Sequence, residues 1–462
     1  GAAVGIVADD RLVYAKGFGV RRKGGGEPVD AKTVFQIGST TKAFLATALA
    51  IAVDRGKLKW NDRVIDRDPD FVLRDPWVTR EFRVYDLLAQ RSGLPPYAND
   101  LLAFLGFDAD RLMHSLRFVE PRTSFRSTFT YTNITHLFAG RIAAQALGAS
   151  DWPALARREL LDPLDMHETS FSADAIENAP DHAAGHHWTR DGSVEIPFNP
   201  LFPYPLGPAG DLNSTLEDCA RWLRLQLGDG LFEGRRLVSE KNLAVTRTPK
   251  VAISEHVLYA MGWIIDATAN GRVVWHNGGT GGFGALIGFA PAQHVGFVVL
   301  SNEENKGFPD GVGLWFFDRL LGNREIDYVQ KALDRVTASA AEGSVVYERP
   351  AAAHPPPDLG VLAGDYTSEV MGRATLAAAD GGLVLTLGET GAQLRLDPFD
   401  GAVFTVRLVP QGRFAAAAAG QADMPAGFAD FGADGRGRLT RLRITVENQP
   451  YLWLKRSAPP PH

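Results

Sequence analysis

The residues Ser39-Thr40-Thr41-Lys42 could carry nucleophilic chemistry. On a helix, positions i and i+3 share a face, so the Ser39 hydroxyl and the Lys42 amine can meet. Gly38 and the strand-like run Val34 to Ile37 precede them, and the apolar stretch Ala43 to Val53 follows. A helix beginning here places N–H groups and a positive partial charge beside Ser39. That stretch is apolar nearly all the way round, which predicts a buried helix. Desolvation lowers a lysine pKa and leaves a neutral amine able to take the serine proton. A capping serine beside an unrelated lysine is the plainer reading. It leaves unexplained a lysine on a helix that is apolar on all sides.

Tyr131-Thr132-Asn133 follows an extended stretch and precedes the helical pattern ITHLFAGRIAAQAL. A tyrosine phenol beside a lysine can shuttle protons between nucleophile and leaving group, and an asparagine amide can hold a substrate carbonyl. A second Y-x-N, Tyr97-Ala98-Asn99, follows Pro95-Pro96 and reads as turn structure or pocket rim. His276-Asn277-Gly278-Gly279 ends a strand-like run, and its glycines allow a substrate backbone to approach closely. Gly279 to Gly284 also fits G-x-G-x-x-G, but strands flank it on both sides, so dinucleotide binding is rejected.

His294-Val295-Gly296 is read as a hairpin turn. His182, His186 and His187 read as a solvated loop or pocket wall, and no HExxH supports a metal. Trp222, Trp263 and the lone Cys219 read as core. No G-x-S-x-G occurs, which excludes the α/β-hydrolase elbow.

Elements must hold these groups together. Residues 2 to 20 read as a hairpin turning at Asp9-Asp10. Residues 84 to 160 are helical patterns broken by turns, and 176 to 212 read as a long loop. STLEDCARWLRLQL, 214 to 227, reads as a helix capped by Ser214 with Glu217 completing a capping box. Strand patterns return at 257 to 300 as an antiparallel meander that includes VLYAMGWII, and a helical stretch follows at 308 to 321. Strands at both ends with helices between them predict an α/β sandwich with an antiparallel sheet. RPAAAHPPP, 349 to 357, reads as a linker. Short alternating segments after it predict a small all-β barrel or sandwich, with the alanine run 415 to 419 as a loop.

The 462 residues exceed one ordinary core, so two domains are expected. Lys plus Arg is 48 against 54 Asp plus Glu, a net charge of -6, which argues against nucleic-acid binding. One cysteine excludes an intrachain disulfide and a Cys-based zinc site. No apolar run reaches the roughly 18 residues of a membrane span. The chain opens inside a strand-like pattern, which predicts residues upstream of Gly1. Any export signal would lie among them, so no compartment is assigned and both periplasmic or secreted and cytoplasmic locations stay open.

In their order, S-x-x-K, Y-x-N and H-x-G resemble the penicillin-recognising serine hydrolases: class C β-lactamases, DD-peptidases, D-aminopeptidases and related esterases. FQIGSTTKAF, YDLLAQRSGLP, FTYTNITHLFAGRI, ELLDPLDMHETSF, GPAGDLNSTLEDCARW, YAMGWII and VVWHNGGTGGFGALIGFAP resemble blocks of that family. The C-terminal LAGDYTS and LTRLRI resemble a lipocalin-like domain appended to some members. The resemblance implies a β-lactamase-like α/β (α+β) sandwich with helices on the faces of the sheet and an all-helical subdomain, over residues 1–330. A helix and the Pro/Ala linker would occupy 331–357, and a lipocalin-like barrel 358–462.

It further implies Ser39 as the acylated nucleophile, Lys42 as general base and Tyr131 as its proton-shuttling partner. Asn133, Gly278 and Gly279 would bind substrate, with the backbone N–H groups of Ser39 and Gly279 as the oxyanion hole. His276, also expected among the catalytic residues, stands where β-lactamases and DD-peptidases usually carry the lysine of K-T-G. A histidine is mostly neutral at pH 7, so anionic substrates should be held less well. The usual H-T-S-G-L block reads Gln90-Arg91-Ser92-Gly93-Leu94, a change to which no mechanistic consequence is attached.

These features predict a serine hydrolase without cofactor or metal, forming an acyl-enzyme from esters, amides or peptides. Esterase, D-aminopeptidase-like or peptidase activity is expected rather than efficient β-lactam hydrolysis. The alternatives are a β-lactamase or DD-peptidase-type penicillin-binding protein, a sensor that is acylated without turnover, and a degenerate hydrolase whose β-domain serves assembly. Expected partners are a small-molecule or peptide substrate and, as a possibility, further copies of the chain.

Overall fold

The computed structural model describes residues 1–189, 191–323, 326–420, 424–446 and 449–456. Its contacts divide into two compact units, one of Gly1–Asp100 with Ala109–Val336, the other of Leu101–Asp108 with Thr337–His462.

The first unit is built on an eight-stranded antiparallel sheet. Its order is Arg11–Phe18, Ala2–Ala8, Val295–Ser301, Gly284–Ala290, Gly271–Gly279, Ile264–Thr268, Val257–Tyr259, Val251–Ala252. The N-terminal hairpin therefore sits beside the last strand of the meander, which only long-range pairing can bring about. Asp9 and Asp10 both have positive φ, 50° and 55°, the handedness a two-residue hairpin turn needs. VLYAMGWII is broken into two strands, Val257–Tyr259 and Ile264–Thr268, by a turn at Gly262 with φ 73°.

Helices cover both faces of the sheet. Phe308–Leu321 lays Phe317 and Leu321 on Val273, Trp275, Leu286 and Phe297, and Phe316 stacks on Phe297 at 4.0 Å. On the opposite face, a Cβ at Gly5 would strike Leu216 and one at Gly296 would strike Leu223, so those glycines let the helix Leu216–Leu227 lie close. Its cap is Thr215, one residue later than expected. The Thr215 hydroxyl accepts from Asp218 N at 3.1 Å, while Ser214 pairs with Phe35 in a short strand. Cys219, Trp222 and Trp263 are fully buried, and Trp222 stacks on Phe44 at 3.8 Å.

The buried helix runs Thr41–Asp54, with Lys42 inside it. The long 176 to 212 segment holds more order than expected: a hairpin, Gly185–Thr189 with Gly192–Ile196, and a 3-10 stretch Tyr204–Ala209.

The second unit is a closed eight-stranded barrel of antiparallel neighbours. The strands Gly364–Ser368 and Gly427–Ala433 add to the segments whose alternation was readable. The alanine run Ala415–Ala419 is a helical turn rather than a loop, in keeping with alanine's high helix propensity. The short helix Leu101–Phe104 belongs to this unit, and Leu101, Phe104 and Leu105 line an apolar cavity with Met371, Leu394 and Ile444. Among the described residues no helix is long and apolar enough to cross a membrane.

Candidate active site

Ser39 lies in the 3-10 turn Gly38–Thr40 that leads into the helix Thr41–Asp54. Gly38 has φ 51°, and a Cβ there would come within 2.9 Å of Gly279 N. A Cβ on Gly278 would fall 1.9 Å from Ile37 O. Only bare backbone on both sides lets the end of the strand Gly271–Gly279 lie against the serine turn. Gly279 faces outward at this point, exposed beside Ser39. Two backbone segments thus converge at the residues that the family resemblance implies as oxyanion donors.

Gly262 does the same for the lysine, since a Cβ there would sit 2.5 Å from Lys42 O. Lys42 is completely buried. Its Nζ lies 2.9 Å from Ser39 Oγ, 2.7 Å from Asn133 Oδ1 and 2.6 Å from Ala209 O. Burial lowers its pKa to about 7, while the nearby Asp100 carboxylate pulls upward. The neutral amine has two N–H bonds and one lone pair. Ala209 O and Asn133 Oδ1 can only accept, so they take the two N–H bonds. The lone pair is left for the Ser39 hydroxyl, which then donates to Nζ.

The Ser39 hydroxyl acts on the Tyr131 phenol, whose ring centre lies 4.8 Å from Lys42 Nζ. Desolvation holds the phenol well above its ordinary pKa of 10.0, so it is a neutral proton carrier. Of the two groups, the amine is the one whose pKa lies near neutral pH.

Asn133 opens the helix Ile134–Leu147 as its N-terminal flanking residue. Its Nδ2 donates to Asp100 Oδ2 at 2.5 Å, which leaves Oδ1 toward Lys42. The amide expected to hold substrate is thus already engaged by Lys42 and Asp100.

His276 is buried on the strand Gly271–Gly279, and burial with the Lys42 charge lowers its pKa to about 3. Its Nδ1 lies 2.5 Å from Asn277 O, an atom that can only accept, so Nδ1 carries the proton. Nε2 then accepts from the Tyr259 hydroxyl at 3.0 Å. Both ring nitrogens are occupied and the ring is neutral.

Gln90 has a part that the sequence did not disclose. Its Oε1 accepts from Thr132 N at 2.6 Å and from Thr132 Oγ1 at 3.1 Å, and its Nε2 donates to Thr132 O at 3.0 Å. Both ends of one buried amide thereby clamp the residue between Tyr131 and Asn133. Gln90 also acts on the phenol of Tyr259, the partner of His276. The residue at the altered first position of the H-T-S-G-L-like block is thus a buried structural contact of Thr132.

Tyr259, Ala209 and Asp100 were likewise not singled out as site residues. Tyr259 belongs to a block whose role only the fold reveals, and a backbone acceptor such as Ala209 O leaves no mark in side-chain types. The histidines of the 182–187 segment each have a protein partner: His182 Nδ1 lies 2.6 Å from Ala179 O, His186 Nδ1 2.7 Å from Asn302 O and His187 Nδ1 2.8 Å from Glu304 Oε1. Among the described residues no three His, Cys, Asp or Glu side chains gather as a metal site.

The beta-lactamase family model matches residues 1–316. Unguisins hydrolase ungD of Aspergillus violaceofuscus is 26% identical over 474 residues, covering 92% of this chain and 83% of its own. Unguisins hydrolase ungD' of Aspergillus campestris is 30% identical over 322 residues, 65% of this chain, and protein flp of Staphylococcus aureus is 26% identical over 312, 67% of this chain. The matches span 58% and 61% of the length of these last two relatives. The solved structure of an octameric penicillin-binding protein homologue from Pyrococcus abyssi is similar in fold, with a TM-score of 0.62 at 21% identity over 98% of this chain and 95% of that one.

Proposed function

The chain belongs to the beta-lactamase family, and on that premise we propose that it is a serine hydrolase working through an acyl-enzyme on Ser39. The observation that carries this reading is the occupancy around Lys42: two carbonyl acceptors take its N–H bonds and its remaining direction meets Ser39 Oγ at 2.9 Å.

In the acylation step, Ser39 Oγ attacks the substrate carbonyl carbon while its proton passes to Lys42 Nζ. The oxyanion accepts from the N–H groups of Ser39 and Gly279. On collapse the bond to the leaving group breaks, and the proton returns from Lys42 through the Tyr131 phenol to the departing oxygen or nitrogen. Water then attacks the acyl carbon and gives its proton to the same pair, and Ser39 leaves as the alcohol. The proton count is unchanged over the cycle. Gly278 lets the substrate chain lie along the edge of the strand Gly271–Gly279. Asn133 would meet substrate through the amide that Lys42 and Asp100 already orient.

The preferred substrates are esters, amides or peptides without a carboxylate next to the reacting bond. A neutral, doubly hydrogen-bonded His276 offers no permanent cation there. Two relatives named as hydrolases of unguisins favour hydrolytic turnover. The octameric homologue favours assembly with further copies of the chain.

A screen of p-nitrophenyl esters, D-amino-acid amides, short peptides and nitrocefin on one preparation tests this. Continuous turnover of neutral esters or amides after an initial burst is expected. A burst of one equivalent without turnover would make the protein an acylated sensor. Turnover of nitrocefin alone would make it a β-lactamase.

A further inference from the structure

The second Y-x-N, read from sequence as turn structure or pocket rim, lies against the first. Tyr97 N donates to Tyr131 O at 2.7 Å, and the two rings are 5.5 Å apart. Asn99 is buried and donates to Ser115 Oγ at 2.8 Å. Tyr97 and Asn99 both hold left-handed backbone, φ 54° and 60°, an uncommon state for residues other than glycine. Strain of this kind persists only where surrounding contacts impose it, and it concentrates at functional sites. The next residue, Asp100, is only 7% exposed and turned inward.

Asp100 Oδ2 accepts from Asn133 Nδ2 at 2.5 Å, and Asn133 Oδ1 accepts from Lys42 Nζ at 2.7 Å. A carboxylate cannot donate, so it fixes which end of the Asn133 amide faces the lysine. We propose that Asp100 is a positioning residue of the acylation site, orienting Asn133 toward Lys42 and placing a negative charge one residue removed from the amine. This role rests on the reading of Lys42 as the general base.

The other groups around Lys42 cannot supply that charge. Tyr131 is held well above its ordinary pKa, and His136 and His276 are buried and held below theirs. All three are neutral near pH 7. Asp100 is the acidic neighbour that favours the protonated lysine. Ser39 reacts when Lys42 is neutral, so labelling rises with pH through the lysine pKa. Removing the carboxylate disfavours the ammonium, lowers that pKa and moves the acidic limb to lower pH.

The test is the pH dependence of Ser39 labelling by a fluorophosphonate, on the full chain, from pH 5 to 9, with Asp100→Asn and Asp100→Ala. Asp100→Asn keeps the shape and an acceptor for Asn133. Its acidic limb should fall by about one pH unit, and its plateau should fall by less than that of Asp100→Ala, because the introduced amide can still accept from Asn133 but no longer fixes which end it presents. Asp100→Ala should show the same shift and a plateau about tenfold lower, since the Asn133 amide is no longer fixed. Either soluble variant suffices for the shift, because both remove the charge. Normal labelling of Ser39 with an unmoved limb overturns the Asp100 role and leaves the proposed function standing. Wild-type protein that is not labelled on Ser39 overturns the proposed function and the Asp100 role together.

Discussion

Lys42 Nζ and Asn133 Oδ1 lie 2.7 Å apart inside the protein, so the amine and the amide of the Y-x-N motif form one hydrogen-bonded unit. Asn133 Oδ1 and Ala209 O occupy two directions around the amine and aim the third at Ser39. Such preorganisation means that little reorientation is needed when the serine proton moves.

With the Lys42 pKa lowered to about 7, turnover of a neutral ester should rise with pH through an apparent pKa near 7 and level off above it. The sign follows because the neutral amine is the active form. Lys42→Ala should lower kcat by roughly 100-fold or more, and so should Tyr131→Phe. The double variant should lose little further, since both groups lie on one proton path. Stopped-flow pH profiles check this. A flat profile from pH 5 to 9 would contradict the role of Lys42.

The buried lysine also weakens the fold. Its pKa is about 7 when folded and near 10.4 when unfolded, so between those values the unfolded chain binds more protons. Stability should therefore rise with pH across that window. Lys42→Met should gain stability relative to wild type as pH falls from 10 to 7, and the difference should be constant below 7. Denaturant melts at several pH values measure it. A difference independent of pH would mean that Lys42 is not desolvated.

His276 is held to a pKa of about 3 by burial, against about 6.5 unfolded. Between those values the unfolded state takes the proton, so stability falls as pH drops, by up to about 1.4 kcal/mol per pH unit from this group. His276→Gln should flatten that part of the acid-denaturation curve. His276→Lys should raise kcat/KM for nitrocefin relative to a neutral ester, and an unchanged ratio would remove His276 from the substrate carboxylate position.

Gln90→Ala should leave the Thr132 N–H and C=O without their amide partner. A loss of about 1–3 kcal/mol in stability is expected. A fall in kcat should accompany it, larger than the change in KM, because Tyr131 and Asn133 lose their shared anchor. An unchanged kcat in folded Gln90→Ala would reduce the clamp to a structural contact.

Much of the site was legible because its chemistry is local. Ser39 and Lys42 are three residues apart on one helical turn, and Tyr131 and Asn133 flank a strand-like run and a helix start. The glycines at 278 and 279 announce close approach by a substrate backbone, and the structure also brings the serine turn against Gly278. Their neighbours, Gly38 and Ile37, come from the other end of the unit. The Gln90 clamp, the Tyr259 to His276 bond and the Asp100 contact link residues 17 to 42 positions apart. No spacing rule marks such pairs. The sheet was read correctly as antiparallel, yet the pairing of Ala2–Ala8 with Val295–Ser301 is a matter of topology and leaves no local signal. The missed helix at Ala415–Ala419 is a case where propensity was the better guide than its position among strands.

The most direct measurement is peptide mass spectrometry after reaction with a fluorophosphonate, on wild type and on Ser39→Ala. One phosphonyl group on the peptide bearing Ser39 is predicted for wild type. Folded Ser39→Ala should show neither label nor turnover. A label on any other serine, or turnover that persists in Ser39→Ala, would contradict the account.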